Sequence, residues 1–220
     1  MVETVHERLL RVVPEIESSF IKSFPDFNVS RCKIFFMLSL FQFDGKIPHE
    51  HRNELFLGVD GIARFHGNEA NLPVILSHEL FHLYHFQVTP PPSDPEKITL
   101  YQQVWQEGLA TYVSHVLNPD APLADVFLDP RLANEGPRFV PQAAKDLMMK
   151  LESIDDTDIA EYLRYRRDGK APARLGYLLG FKIVEHLAQT RRIHDLARLR
   201  GWRLLRTIQT ELRWLAGLRS

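Results

Sequence analysis

With a single cysteine, Cys32, in 220 residues, the chain can form no intrachain disulfide, so its stability has to come from a packed core. Cys32 falls in an apolar stretch and reads as a small packed hydrophobe, and a reducing, cytoplasmic setting is expected. Long apolar runs are missing as well. No stretch approaches 18 consecutive apolar residues, so no membrane span is expected. The opening Met1-Val2-Glu3-Thr4-Val5-His6-Glu7-Arg8 mixes charges and lacks the basic-then-apolar order of a secretory signal. An excess of one charge is also absent: 27 Lys and Arg face 28 Asp and Glu, which removes any electrostatic ground for a nucleic-acid partner. Nothing sets an oligomeric state. What is present, 45% hydrophobic and 25% charged residues, matches a globular chain long enough for one domain with its own core.

The stretch around which the chain is organised is Ser77-His78-Glu79-Leu80-Phe81-His82, which contains H-E-x-x-H. On a helix of about 3.6 residues per turn, His78 and His82 share one face, so both imidazoles can reach one ion. Glu79 lies about 100° round the helix, off the ligand stripe yet near enough to take a proton from a metal-bound water. That division of labour belongs to zinc peptidases. Alone, the motif is also what two histidines on a surface helix would produce by chance. His85, one turn beyond His82, reads as a capping or packing residue rather than a ligand.

A third ligand is offered downstream. After the proline-dense Thr89-Pro90-Pro91-Pro92-Ser93-Asp94-Pro95, a helix capped by Ser93 or Asp94 is expected to run to Leu117, ending before Asn118-Pro119. Glu107 sits in its middle, flanked by Trp105, Leu109 and Ala110, where an uncompensated carboxylate would be costly. A metal ion removes that cost. Gly108 and Ala110 are small, as expected where this helix passes close to the motif helix. Two histidines and one carboxylate with a fourth position open to water make a catalytic rather than structural zinc site.

These residues resemble the gluzincin clan of zinc metallopeptidases, in which H-E-x-x-H is followed on a later helix by a ligand Glu within W-x-x-E-G-x-A-like sequence, here Trp105-Gln106-Glu107-Gly108-Leu109-Ala110. More specifically, the chain is similar to compact bacterial proteins predicted to be zinc-dependent proteases. Their H-E-L-x-H, E-G-L-A and G-Y-x-x-G fall at His78 to His82, Glu107 to Ala110 and Gly176 to Gly180. The resemblance implies Zn²⁺ on His78, His82 and Glu107, Glu79 as general base, and a peptide or protein substrate. It also makes Tyr177 the candidate for stabilising the oxyanion, beside the alternative of a core tyrosine, with His186 and His194 as lesser candidates. One departure is Thr111, which stands where many gluzincins carry an Asp that orients the first histidine.

The rest of the chain suggests an α+β fold, with a small N-terminal sheet packed on the motif helix and a mainly helical second half, gluzincin-like. Apolar spacing over 3–24 predicts one helix kinked at Pro14 or two short ones. The run Ile34 to Phe43 reads as a buried strand, and Glu54 to Val59 as a second strand, either plain or a sheet edge along which substrate could pair. Turns only are expected over 119–141, helices over 143–153 and 158–165, a loop over 166–170 and an apolar helix over 174–189. Gly176 and Gly180 leave a bare face for close packing. Asp155-Asp156-Thr157-Asp158 reads as a solvated helix cap rather than a metal site.

One domain is expected over 1–220: a helix-and-sheet lobe over 1–70, active-site helices over 71–190, and a C-terminal helix over 191–220. That last segment holds eight Arg against Asp195 and Glu211, which reads as the solvated face of an amphipathic helix in preference to a surface for an anionic partner. The function read from these features is peptide hydrolysis. Its rivals are a non-catalytic zinc-retaining module that binds protein, and a helical regulatory protein with a chance H-E-x-x-H.

Overall fold

A computed structural model describes residues 1–165 and 169–218. The chain falls into two compact units, Met1–Pro90 with Val113–Ala121, and Pro91–Tyr112 with Pro122–Ser220.

The first unit opens with α1 (Val2–Ser23), a single helix that carries Pro14 inside it and buries Val5, Leu9 and Phe20. A three-stranded sheet follows, made of β1 (Lys33–Met37), β2 (Gly45–Lys46) and β3 (Glu54–Gly58) in the order β1-β3-β2. β1 runs parallel to β3 with Lys33 opposite Glu54, and β2 runs antiparallel to β3 with Gly45 opposite Leu57. β3 is therefore the central strand, and its Leu55 and Leu57 are fully buried. The sheet edge on that side is β2, not β3.

The run expected as a buried strand over 34–43 stops at Met37 and forms an outer strand, with Phe35 and Met37 about two-fifths exposed. The cause lies further along the chain. Asp60, buried on α2 (Val59–His66), accepts hydrogen bonds from the backbone N–H of Ser39 at 2.6 Å and of Phe41 at 2.9 Å, and from the Ser39 hydroxyl at 3.0 Å. Collecting these donors folds the backbone round the carboxylate. Leu40 and Phe41 are left in the left-handed region, at φ 55° and 60°, where no strand can continue. α2 itself was not anticipated from the sequence.

α3 (Leu72–Val88) begins with Pro73 in its first turn and packs against α1, β2 and β3. Its contact with the end of α1 is aromatic: Phe24 lies 5.5 Å from Phe81 and 4.7 Å from Tyr84, centroid to centroid. The helix is apolar on nearly every side, as a helix enclosed by its neighbours must be.

In the second unit the cap at Asp94 is present, but it serves a short 3-10 turn, Pro95–Lys97. α4 (Leu100–Leu117) starts later, where the Gln102 side chain reaches back to accept from Thr99 N at 2.9 Å, and the amides of Leu100 and Tyr101 donate to the carbonyls of Ser153 and Leu151. Beyond Pro119 there is more helix than the expected turns: α5 (Leu123–Val126) and α6 (Pro130–Glu135), the latter capped by Asp129. Then come α7 (Val140–Met148) and α8 (Asp156–Leu163), capped by Asp155 as expected, and α9 (Leu175–Ala188). Of the loop expected over 166–170, residues 166–168 lie outside the described residues. The Arg-rich tail is two helices, α10 (Ile193–Leu196) and α11 (Gly201–Leu215), separated where Gly201 turns to φ 56°. α11 buries Leu204, Ile208 and Leu212 and leaves its arginines outside, the amphipathic reading. Among the described residues, no helix is long and apolar enough to cross a membrane.

Candidate metal centre

His78 and His82 are one turn apart on α3, and their Nε2 atoms face each other at 3.0 Å. From Val74 to His85 every residue of α3 is buried except His78 and Glu79, which are partly exposed; His82 is 8% exposed. The rotamers are thus held by packing. Ser77, just before the motif, accepts from Asn118 Nδ2 at 3.1 Å, which ties the start of the motif to the residue after α4.

Glu79 is placed by a glycine. Its carboxyl group lies against Gly45 in β2, so closely that a methyl group on Gly45 would fall 2.5 Å from both Cδ and Oε1. The start of β2 is held by Asp44, whose carboxylate accepts from Gly45 N at 2.8 Å and pairs with His66 Nε2 at 2.7 Å. Burial raises the Asp44 pKa, but the His66 hydrogen bond and charge outweigh it and hold the group below the usual carboxylate range.

Glu107 lies on α4 and can offer a carboxylate oxygen. One ligand atom from each of His78, His82 and Glu107 falls within 4.8 Å of the other two, the one such group of His, Cys, Asp or Glu side chains among the described residues. Zinc binds imidazole nitrogen at about 2.0–2.1 Å, so two ligands of a tetrahedral site stand about 3.3 Å apart. The observed 3.0 Å between imidazole nitrogens is close to that spacing. The chemistry of the set, two imidazoles and one carboxylate, is that of an open zinc site. These residues fit the ion.

The surroundings of Glu107 come from α9. Burial, then the charge of Glu107, pushes the ionisation of Tyr177 far above the usual tyrosine range, against the opposing pull of Arg174, whose Cζ lies 3.8 Å from the centroid of the Tyr177 ring. α4 and α9 meet at Gly108 and Gly180, where a Cβ on Gly108 would lie 2.4 Å from the Gly180 carbonyl carbon. Gly108, expected to ease the approach of the motif helix, instead clears space for α9.

A model of the family described as "Predicted Zn-dependent protease (DUF2268)" matches residues 17–199. The chain belongs to this family. The DUF2268 match spans both histidines, Glu79, Glu107 and Tyr177. No curated protein and no solved structure gave a match.

Other candidates fall into place around this group. His85 is buried and stacks on Phe81, outside the cluster. His186 is engaged by Glu211, Nδ1 to Oε2 at 2.6 Å, and stacks on Trp214. The backbone carbonyl of His194 accepts from Arg198. Thr111 is buried one turn after Glu107. In the acidic run, Asp156 pairs with Arg164 and Asp158 with Lys150, so it is a salt-bridged cap. Neither Arg174 nor Gly45 is among the residues that the sequence singles out. Arg174 had a signal: an arginine within the apolar Ala171-Pro172-Ala173-Arg174-Leu175-Gly176-Tyr177 requires either exposure or dedicated partners.

Proposed function

We propose that this chain is a zinc-dependent peptidase of gluzincin type that hydrolyses peptide bonds in a peptide or protein substrate. The observation that carries the reading is the convergence of His78, His82 and Glu107 ligand atoms within 4.8 Å. Family membership supports it, since the family's description is that of a predicted Zn-dependent protease.

His78, His82 and Glu107 would hold the ion. When bound there, zinc supplies Lewis-acid chemistry, acidifying water and polarising a carbonyl oxygen. Glu79, partly open to solvent and fixed against Gly45, takes a proton from the attacking water and passes it to the leaving amine. Two neutral imidazoles and one carboxylate leave the site with a net positive charge once a divalent ion is in place, which suits attack on a neutral amide. Tyr177, on α9 and near enough to Glu107 to feel its charge, is the donor proposed for the oxyanion.

The test is zinc content and peptide hydrolysis of the wild type beside Glu79→Gln and His82→Ala. The expected pattern is about one zinc per chain in the wild type and in Glu79→Gln, turnover only in the wild type, and neither in His82→Ala. Zinc without turnover in the wild type, across a broad peptide library, would favour the non-catalytic module. Retained hydrolysis in Glu79→Gln would remove Glu79 from its role.

A further inference from the structure

Charge in this chain is balanced in total but divided in place. Residues 191–220 hold eight Arg against Asp195 and Glu211, a net charge of +6, whereas residues 1–190, with 19 basic and 26 acidic residues, carry −7. The buried stripe of α11 explains its inner face and leaves the outer one to be explained. At about 100° per residue, Trp202, Arg213, Arg206, Thr210, Arg203 and Trp214 follow one another within about 120° of arc, and all six are exposed. Three arginines thus lie between two indoles. Trp202 is 68% exposed, and Trp214, although it stacks on His186 at 4.1 Å between centroids, remains 52% exposed. The acids of the segment do not neutralise this face: Asp195 pairs with Arg192 at 3.0 Å, and Glu211 is buried 2.6 Å from His186. Thr210 turns its hydroxyl back to the Arg206 carbonyl.

We propose that this face of α11 docks on an anionic phospholipid surface, with Arg203, Arg206 and Arg213 on the charged headgroups and Trp202 and Trp214 set at headgroup depth on either side. Clustered arginines on a helix are drawn to the negative potential of such a surface, and an indole, apolar with a single N–H, favours the headgroup layer. A face that met only water would have a use for the arginines but none for a pair of exposed indoles. Its convex outline, the outside of one helix, suits a broad flat partner. Single-stranded nucleic acid fits the spacing less well: the indoles are 12 residues apart, about 18 Å along the axis, whereas bases stack on successive platforms. The apolar stripe stays in the core, so the attachment is peripheral, reversible and held by charge. It does not depend on the metal centre.

The experiment mixes the full chain with vesicles of phosphatidylcholine, alone or with about 30 mol% phosphatidylserine, and separates bound protein by flotation. Binding is expected with the anionic vesicles only, and is lost at about 0.5 M salt, where headgroup charge is screened. Trp105 is 1% exposed, so a blue shift of tryptophan emission on binding reports Trp202 and Trp214. The triple variant Arg203→Gln/Arg206→Gln/Arg213→Gln should partition roughly 100-fold less, at about fivefold for each arginine removed, with an unchanged melting curve. Trp202→Ser should weaken binding and reduce the blue shift, and carries the test if the triple variant does not fold. A short oligothymidine and polyglutamate are added as competitors. No binding to anionic vesicles, equal binding to phosphatidylcholine alone, or undiminished binding in both variants overturns the proposal. Tighter binding to either competitor than to the anionic vesicles also overturns it, and assigns the face to nucleic acid or to an acidic protein.

Discussion

The α-carbon of Gly45 and the carboxyl group of Glu79 are in contact, with no room between them for a methyl group. β2 thereby acts as a stop for the side chain proposed to move the proton. Gly45→Ala meets the far end of a flexible side chain rather than backbone, so the fold should survive while the carboxylate is pushed aside. A displacement of about 1 Å at a reacting group costs on the order of 100-fold in rate. The expected result is a fall in kcat/KM of that order with zinc content unchanged; full activity in Gly45→Ala would show that Glu79 has other acceptable positions.

Gly108 and Gly180 present the opposite case, because each faces backbone. A Cβ on Gly180 would stand 2.3 Å from the Val104 carbonyl oxygen. Gly180→Ala must separate α4 from α9, at a cost of about 2 kcal/mol or more. In a chain of this length that amounts to a drop of roughly 5 °C in melting temperature. Zinc affinity should fall with it, since Glu107 adjoins the contact. A Gly180→Ala protein with wild-type melting and affinity would contradict this account of the crossing.

Asp60 sets a pH dependence. Burial pushes its pKa up, but the N–H groups of Ser39 and Phe41, then the Ser39 hydroxyl, outweigh it and bring the group down from 3.8 to about 2. A depressed folded value means that its stabilisation is complete above the unfolded value and is lost as pH falls through the folded one. Denaturant melts of wild type and Asp60→Asn should therefore differ by a constant amount above about pH 5 and converge between roughly pH 4 and pH 2. A gap that stays constant through that window would rule out the carboxylate as its source.

Leu40 is 76% exposed and at φ 55°. A non-glycine residue in that region gives up about 1 kcal/mol or more, and little burial offsets it here. Leu40→Gly should relieve the strain against the added chain entropy of glycine in the unfolded state, leaving stability equal to or slightly above that of the wild type. A loss of more than about 1 kcal/mol would mean that Leu40 packs on something its exposure does not reveal.

The features legible in the sequence share one property: their partners are near in sequence or absent. The spacing of His78 and His82 is a property of one helix turn, and Glu107 stands out because its own neighbours are apolar. The cap at Asp155 is likewise local. What escaped reading depends on partners far along the chain. β1 ends where it does because of Asp60, which lies 23 residues beyond Met37. Gly45 looks like any turn glycine until Glu79, 34 positions later, is laid against it. Arg174 donates to the carbonyl of Phe127, 47 residues earlier, and Gly108 faces Gly180, 72 positions later. Composition carries no trace of such pairings, and they determine how accurately the candidate site is held.

Along the inner length of α3, only His78 and Glu79 reach the surface. A saturation scan of Val74 to His85 should thus sort into two phenotypes. Changes at the ten enclosed positions would be seen chiefly as lost abundance, through damage to packing, with His82 adding lost metal. Changes at the two open positions would leave abundance intact and be seen only in what the protein does. Natural drift along this helix is filtered by folding nearly everywhere, and by chemistry through a window two residues wide.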